Sequence, residues 1–418
     1  MENKFWKPQC VVSKSIASNL LFLFVTLLSS FTIVSSYDSL DPYGNITITW
    51  DIMNWTPDGY VAVVNISNEQ QFRPVSEPGW QLGWTWEGQE VIWIMFGAQS
   101  ITQGDCSRFR GNIPHSCERR PTIVDLLPGT PYNDQVAGCC RNGVLAPMGF
   151  GDPYLSSAGF QLTVGAAGTT NRTVRVPKNF TFEVEGGGYT CGPAKIVRPT
   201  RFVTPDGRRV TQALMTWKVV CTYSAFLVKK PLCCVSLSSA DHHLSSSCKD
   251  CACGCRNASM ACTGKGGAER LAYLPSSAVK CTNHNCPVNI NWHLTSKSKD
   301  NWGARVSITN YSLRRTISDW ATLLHLPQSN HFMKIVHANH KPFLIQNSEW
   351  DMFWGIKKYN RVIKRAGMKG SVVDWEVLYS YKNGSIHNGT VEPPFIPLAI
   401  YFNGYPCSMP ATRTLLKA

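Results

Sequence analysis

The sequence lacks the features of a membrane-spanning or disordered chain. Its longest apolar run covers residues 20–28 and is followed by Ser29 and Ser30, whereas a spanning helix needs about 20 apolar residues. Charged residues occupy 16% of the 418 positions, against about 25% in typical domains, and 14 Trp, 14 Tyr and 18 Phe supply apolar surface. A disordered chain has the opposite composition, so the sequence predicts two or three folded domains.

Motifs that would identify an enzyme are also missing. There is no G-x-S-x-G, no H-E-x-x-H and no P-loop. Polysaccharide cleavage would need two carboxylates about 5–10 Å apart. The acidic residues considered for this role are Asp51, Asp58, Glu87, Glu90 and Asp105. Because spacing along a β-fold does not set that distance, no pair is favoured, and we predict neither a catalytic residue nor a cofactor.

The N-terminus has the order of a secretory signal peptide. Lys4, Lys7 and Lys14 precede the apolar run, and small residues end it at Ser36. We predict that residues 1–36 are removed, since the alternative, a signal anchor, would need a longer apolar run. The net charge of +14 then falls to +12, because three lysines and Glu2 leave with the signal. Secretion excludes nucleic acid as a partner.

Removal of the signal peptide takes away Cys10 and changes the cysteine count from 17 to 16. An even number in an oxidising compartment indicates disulfides. The pairing is not readable from the sequence, and the cysteines concerned are Cys106, Cys117, Cys139, Cys140, Cys191, Cys221, Cys233, Cys234, Cys248, Cys251, Cys253, Cys255, Cys262, Cys281, Cys286 and Cys407. Successive side chains point apart on an extended backbone, so the adjacent pairs at 139–140 and 233–234 are each expected to reach two different partners.

Ten of these cysteines lie between Cys221 and Cys286, in a stretch rich in Ser, Gly, Lys and Asn. Such a stretch cannot bury a core of its own, so cross-links must hold it. The run 248–255, with histidines at 242, 243 and 284, has zinc-ligand types, but its spacing does not match a zinc finger. We therefore predict a disulfide-linked segment and no metal site.

Nine N-x-S/T triplets agree with an extracellular location and are predicted glycosylation sites. They are Asn45, Asn54, Asn65, Asn171, Asn179, Asn257, Asn310, Asn383 and Asn388. Asn54 is the weakest of them, because Pro57 follows its Thr56.

Strand patterns dominate, and no stretch has the period of a long helix. In residues 45–53, Ile and Trp side chains alternate with polar ones, which is typical of a half-buried strand. An offset of 242 residues aligns Trp50 with Trp292 and residues 60–68 with residues 302–310 without a gap, which indicates an internal repeat. The alternative is a chance similarity between two β-proteins. The aromatic pairs shared by the two copies, and so expected in the cores, are Trp50/Trp292, Tyr60/Trp302 and Trp80/Trp320.

The sequence thus predicts a mostly β protein in which two related β-sandwich modules are joined by a cysteine-rich, disulfide-linked segment. The predicted divisions are a signal peptide (1–36), an N-terminal β-sandwich (37–165), a connecting β segment (166–228), the cysteine-rich segment (229–286), a C-terminal β-sandwich (287–407) and a short tail (408–418).

Tryptophan is concentrated near the start of the chain, with five residues between positions 55 and 93. The C–H faces of sugar rings pack on exposed aromatic faces, so tryptophans outside the shared core pairs are candidates for carbohydrate binding. The selected residues are Trp55, Trp84 and Trp86. For Trp84 and Trp86 the alternative is burial beside Trp80, because all three occupy alternate positions and would face the same side of a strand.

Several segments resemble the plant COBRA-like family, among them DPYGNITITWDI, PGWQLGWTW, QGDCSRFRGNIPHSC, GGGYTCGPAKIV, the CCVS tetrapeptide at 233–236 and CACGC. The resemblance runs from about Tyr37 to Cys407. It implies a cell-wall glycoprotein, not known as an enzyme, whose N-terminal module binds cellulose. It further implies a role in organising cellulose microfibrils during cell growth.

Members of that family usually end in a hydrophobic tail that is exchanged for a glycosylphosphatidylinositol anchor, and residues 408–418 have no such tail. Either this member is secreted freely into the wall or the sequence is a truncated product, and attachment to the outer face of the plasma membrane is expected only through a family anchor. The expected partners are cellulose and, because of the positive charge, acidic wall polysaccharides such as pectin. The alternatives are a wall polysaccharide-modifying enzyme and a disulfide-rich adhesion or signalling protein with a protein partner.

Overall fold

The computed structural model describes residues 38, 40–150, 152–204, 206–228, 232–239, 245–246, 287–312, 315–327, 330–345, 347–381 and 395–409. The predicted signal peptide, the tail from 410 onward and most of the cysteine-rich segment lie outside these residues. Within them, no helix is long and apolar enough to cross a membrane.

The N-terminal part forms a β-sandwich with a seven-stranded and a four-stranded sheet. Its strands, with a separate hairpin of β11 and β12, are β1 (Ile46–Thr56), β2 (Gly59–Asn68), β3 (Gln81–Thr85), β4 (Val91–Phe96), β5 (Ala98–Ser100), β6 (Thr122–Asp125), β7 (Ser157–Gly165), β8 (Lys178–Glu183), β9 (Tyr189–Cys191), β10 (Lys195–Val197), β11 (Arg201–Val203), β12 (Val210–Gln212) and β13 (Met215–Tyr223). The larger sheet has the order β10-β13-β1-β2-β7-β4, with β9 also on β13, and the smaller has the order β5-β6-β3-β8. Short 3-10 turns cover Tyr132–Asp134, Pro153–Leu155 and Ala225–Leu227.

The C-terminal part is a second sandwich, with sheets of six and five strands. Its strands are β14 (Cys233–Ser239), β15 (Ser245–Ser246), β16 (Val288–Lys297), β17 (Asn301–Asn310), β18 (Ala321–His325), β19 (Asn330–Val336), β20 (Asn339–Ile345), β21 (Ser348–Trp354), β22 (Val372–Tyr381), β23 (Ala399–Phe402) and β24 (Tyr405–Pro406). The sheet orders are β15-β14-β16-β17-β22-β19 and β20-β21-β18-β23-β24. The predicted mostly β fold with two sandwiches is therefore confirmed.

The internal repeat is visible in detail. A bulge between Ile52 and Asn54 on β1 recurs between Leu294 and Ser296 on β16, at the predicted offset. All three shared aromatic pairs lie in the cores, at 2% exposure or less. The repeat does not extend to the next strand of each sheet. The equivalent strands β1 and β16 have different neighbours: β13 pairs with β1 antiparallel, whereas β14 pairs with β16 parallel.

Two predicted segments belong to the sandwiches. The segment 166–228 was expected to be a connector, but β8 pairs with β3 and β13 pairs with β1, so both are part of the first sandwich. In the same way, β14 of the cysteine-rich segment lies in the second sandwich beside β16. The neighbours of these strands are set by pairing between segments distant in the chain, which local sequence patterns do not show.

Four disulfides join described cysteines: Cys106–Cys117, Cys139–Cys140, Cys191–Cys221 and Cys233–Cys407. Cys234 is disulfide-bonded as well. The expectation that Cys139 and Cys140 bond to separate partners is wrong. It assumed an extended backbone, whereas Cys140 has a φ of 72°, which turns the chain and brings the adjacent side chains together. The cysteines from 248 to 286 lie outside the described residues.

Equivalent arginines of the two repeats connect the sandwiches. Arg73 is fully buried, and its Nη2 donates to the carbonyl of Gly404 at 2.6 Å. Arg315, 242 positions later, pairs with Glu185 of the first sandwich, with 2.8 Å between Nη1 and Oε2. Phe72 also packs edge-on against Phe343, with ring centroids 5.2 Å apart. The junction therefore combines apolar packing with one buried and one more exposed arginine.

Candidate functional site

Trp84 and Trp86 lie in the core of the first sandwich. Their exposures are 2% and 1%, and the ring of Trp84 meets Trp50 edge-on at a centroid distance of 5.1 Å. Leu82, Trp84 and Trp86 occupy alternate positions at and after β3, and all three point inward. This burial contradicts the prediction that Trp84 and Trp86 contact carbohydrate.

Trp55 is placed differently, at the end of β1 where the strand turns into β2. It is partly buried and packs edge-on against Tyr60 at 6.2 Å. Part of its ring therefore packs on the core and part is accessible. Its proposed role in carbohydrate binding stays a prediction.

A second aromatic group lies at the same end of the sandwich, and we call Trp93 and Phe109 the aromatic corner. The two rings are perpendicular, with centroids 5.1 Å apart, and both are partly exposed. The indole Nε1 of Trp93 donates to Asp58 Oδ2 at 3.0 Å. This bond holds the indole of β4 against the β1–β2 turn.

Gly165 makes room for the Trp93 ring. A Cβ on Gly165 would lie 1.9 Å from Nε1 of Trp93 and 2.4 Å from Oδ2 of Asp58. Because Val164 points into the core, its neighbour Gly165 faces the outside of the sheet. The indole therefore lies across the outer face of the sheet at its end, where only glycine permits it.

The loop that carries Phe109 is held by a disulfide and an arginine. The Cys106–Cys117 bond closes the loop. Arg108 donates from Nη2 to the carbonyl of Gln89 at 2.9 Å, and its guanidinium carbon lies 4.9 Å from the centre of the Phe109 ring. These contacts fix the second ring of the aromatic corner relative to the β3–β4 turn.

A polar cleft of about 410 Å³ adjoins this loop and is lined by Glu87, Glu90, Asp105, Arg108 and Arg119, among others. Three of the five carboxylates considered for catalysis thus share one cleft. Each is engaged: Glu87 pairs with Lys178 at 2.7 Å, and Glu90 accepts the Gly88 N–H at 2.7 Å. The backbone N–H of Ser107 lowers the pKa of Asp105, whereas a general acid needs a raised one.

The other two considered carboxylates have structural roles. Asp51 is buried and accepts a hydrogen bond from the Thr216 hydroxyl. Asp58 holds the Trp93 indole. Neither lies among the residues that line the polar cleft.

The predicted glycosylation sites fall into four groups. Asn54, Asn171 and Asn179 are exposed, whereas Asn45 and Asn65 are half-buried. The triplets at 257, 383 and 388 lie outside the described residues. Asn310 does not fit a glycan: it is 1% exposed, and its Nδ2, the atom a glycan would join, donates to the carbonyls of Arg315 and Lys364. Asn68, its repeat equivalent, bonds in the same way to Arg73 and Ala146.

The aromatic corner was not selected by sequence reasoning, although a signal for Trp93 exists. Residues 91–96 read VIWIMF on a strand that lies at the edge of its sheet. Six consecutive apolar residues cannot all point inward from one strand, so some must be exposed. Phe109 carries no comparable signal, because its position depends on how the disulfide loop folds back.

The geometry therefore defines a protein of two related β-sandwiches, each containing disulfides, with aromatic rings at one end of the first. A family model of the COBRA N-terminal domain matches residues 60–224, and one of the COBRA family C-terminal domain matches residues 268–414. The chain belongs to the COBRA family.

Curated relatives cover nearly the whole chain. Protein COBRA of Arabidopsis thaliana is 46% identical over 98% of this chain and 92% of its own length. COBRA-like protein 1 of Arabidopsis thaliana is 48% identical over 93% and 88%, and COBRA-like protein 3 of Oryza sativa subsp. japonica is 47% identical over 92% and 86%. The solved structure of ChBD2 from Thermococcus kodakarensis matches 28% of this chain at 14% identity, and its TM-score of 0.18 is too low to carry an argument.

Proposed function

We propose that this protein is a secreted, non-catalytic glycoprotein of the plant cell wall that binds cellulose and organises its microfibrils. Family membership supports the class of protein, and the signal-peptide pattern supports the location. The observation that carries the binding proposal is the aromatic corner, with Trp55 at the same end of the sandwich.

The arrangement suits a linear sugar polymer. Trp55 and Trp93 lie on β1 and β4, which are three strand intervals apart, so about 14 Å separates their backbones across the sheet. Both are partly exposed and both are held by neighbours, Tyr60 and Asp58 respectively. Held aromatic rings bind with little loss of conformational freedom, and each contributes about 1 kcal/mol beyond burial. Trp55 lies on the inner face with Tyr60 and Trp93 on the outer face beside Gly165, so a sugar chain passing over this end of the sandwich would meet both rings.

The enzyme alternative is supported by the polar cleft, because it gathers Glu87, Glu90 and Asp105. The contacts of these carboxylates favour binding over cleavage. Glu87 already pairs with Lys178 and Glu90 already accepts the Gly88 N–H, and the pKa of Asp105 is shifted away from that of a proton donor. In a binding protein the same groups would accept hydrogen bonds from sugar hydroxyls beside the aromatic corner.

Substituting Trp93 is expected to weaken retention on crystalline cellulose about fivefold, which corresponds to the roughly 1 kcal/mol contributed by one stacked ring. Gly165→Ala is expected to produce a similar loss while keeping the ring, because the new Cβ displaces the indole from the sheet. The measurement is a binding isotherm of the purified full chain on crystalline cellulose, compared between Trp93→Ala, Gly165→Ala and the wild type.

The matched control is Tyr359→Ala, which removes a 63% exposed ring from the second sandwich and should leave retention unchanged. Wild-type protein that does not bind cellulose would contradict the proposed function. Release of soluble sugars would favour the enzyme, and loss of retention in Tyr359→Ala alone would place the site on the other sandwich.

A further inference from the structure

The hairpin of β11 and β12 is an exposed, basic arm. It forms a two-stranded sheet of its own, and its described residues from Arg201 to Gln212 are exposed on both faces. An isolated two-stranded hairpin has little stability by itself and no core to protect. The exposed side chains of the hairpin therefore do not serve to stabilise a core, and a binding role would explain them.

The arm is fixed at its base to the end of the sandwich that carries the aromatic corner. The backbone N–H of Leu214 donates to the carbonyl of Ile52 at 2.7 Å, beside the bulge that precedes Trp55. The N–H of Thr200 donates to the hydroxyl of Thr216, which in turn donates to Asp51. The buried Asp51 carboxylate thus positions the base of the arm, which lies at the end of β1 that carries Trp55.

Charge is strongly unbalanced around this arm. Between Glu185 and Asp241 the sequence contains eight Lys and Arg residues and one acid, Asp206. The described cations are Lys195, Arg198, Arg201, Arg208, Arg209 and Lys218. Of these, only Arg208 has an acidic partner in the described part of the chain: Asp206, at 3.8 Å. The remaining cations are available to an external anion.

Two of the cations are held side by side. Lys195 and Lys218 are directly opposite one another on β10 and β13, on the outward-facing side of the sheet edge. Like charges in this position repel and destabilise the strand pair. An anionic ligand across the pair would remove that repulsion.

Apolar side chains alternate with the cations. Val203 and Val210 are paired on one face of the hairpin with Arg201, while Phe202 lies on the other face with Arg209. All three apolar side chains are exposed, with Val203 at 58%. A partner that fits both must offer carboxylates together with apolar patches. Chains of uronic acids do so, because each unit has a carboxylate and an apolar ring face.

We propose that the β11–β12 hairpin and the adjoining edge of β10 form a binding site for an acidic polysaccharide of the polyuronide class. This site lies beside the proposed cellulose-binding surface and is separate from it. The proposal rests on the proposed function only for the extracellular location, where such polymers occur. One end of the first sandwich would then hold a neutral polymer and an acidic polymer next to each other.

The test measures binding of the full chain to polygalacturonate as a function of salt. Replacing Lys195, Arg201 and Arg209 by Gln, which gives the hairpin variant, is expected to weaken binding at low salt about tenfold, since exposed charge pairs contribute modestly and here act together. Wild-type binding should fall as salt rises, because screening shortens from about 10 Å at 0.1 M to about 3 Å at 1 M. Fully methyl-esterified polygalacturonate, which has no charge, should bind much more weakly.

The matched control removes three exposed cations elsewhere, with Arg172→Gln, Lys334→Gln and Arg365→Gln in one protein. It should bind polygalacturonate nearly as well as the wild type, and the hairpin variant should bind cellulose as well as the wild type. Equal losses in both triple variants would show that net charge alone is responsible and would overturn the site. Preferential binding of the hairpin to phosphatidylglycerol vesicles would overturn the polyuronide assignment. Failure on cellulose alone would refute only the proposed function.

Discussion

Arg73→Met is expected to lower the free energy of unfolding by about 3–5 kcal/mol, the range found when one partner of a buried ion pair is removed. Arg73 pairs with Asp38 at 2.9 Å and donates to Gln70 Oε1 at 2.7 Å and to the Gly404 carbonyl at 2.6 Å. Its guanidinium carbon also lies 3.5 Å from the centre of the Tyr223 ring. Methionine fills much of the volume but leaves these oxygens without their donor.

The repeat supplies the control for this measurement. Arg315→Met changes the equivalent residue of the second sandwich, whose partner Glu185 is 48% exposed, and should cost no more than about 1 kcal/mol. Both variants are compared with the wild type by guanidinium denaturation, with disulfides intact. Equal losses of unfolding free energy in the two variants would show that buried Arg73 contributes no more to the junction than the more exposed Arg315. A smaller loss in Arg73→Met than in Arg315→Met would have the same meaning.

Removing the Cys233–Cys407 disulfide by a double substitution to Ala is expected to cost about 5 kcal/mol. The bond closes a loop of 174 residues, and the chain-entropy model gives about that value for so long a loop. It also attaches the segment after β24 to β14, where Ser408 donates to the carbonyl of Cys233 and accepts from Val235. Both cysteines lie in the core of the second sandwich, so lost packing adds to the effect.

The comparison for this variant is the double Ala substitution of Cys106 and Cys117, which opens a loop of only 11 residues. The same model gives about 3 kcal/mol there, so the long-range bond should cost about 2 kcal/mol more. Denaturation midpoints, with mass spectrometry to confirm that the other disulfides are unchanged, measure the difference. An equal or smaller cost for Cys233 and Cys407 would mean that other cross-links already restrain that loop.

Sequence reasoning was correct where a pattern is local and repeats. Alternation identified β1, and the offset of 242 placed Trp50 and Trp292 in equivalent cores. It was wrong about Trp84 and Trp86, although their shared parity with Trp80 pointed to burial. Composition indicates which ligands a tryptophan can bind, but only the position of the facing sheet shows whether its ring is accessible.

Two other corrections have the same origin. Asn310 has a sequence that accepts a glycan, yet its side chain bonds to two carbonyls beneath the loop after β17. Cys139 and Cys140 are joined because a left-handed residue turns the chain between them. The glycosylation triplet reads the same whether its Asn is accessible or buried. The Cys-Cys pair reads the same whether the backbone is extended or turned.

The sequence by itself determined the class of this protein. Its strand periodicity, its repeat and its motifs led to two β-sandwiches of the COBRA family, because these features are carried by neighbouring residues or by whole segments. The tertiary structure decided where its surfaces are. Trp93 and Phe109 come from different elements, and Arg73 lies between two sandwiches. The base of the basic hairpin lies at the end of β1 that carries Trp55, because β1 and β13, which are distant in sequence, pair in one sheet, and no local pattern shows pairing over such a distance.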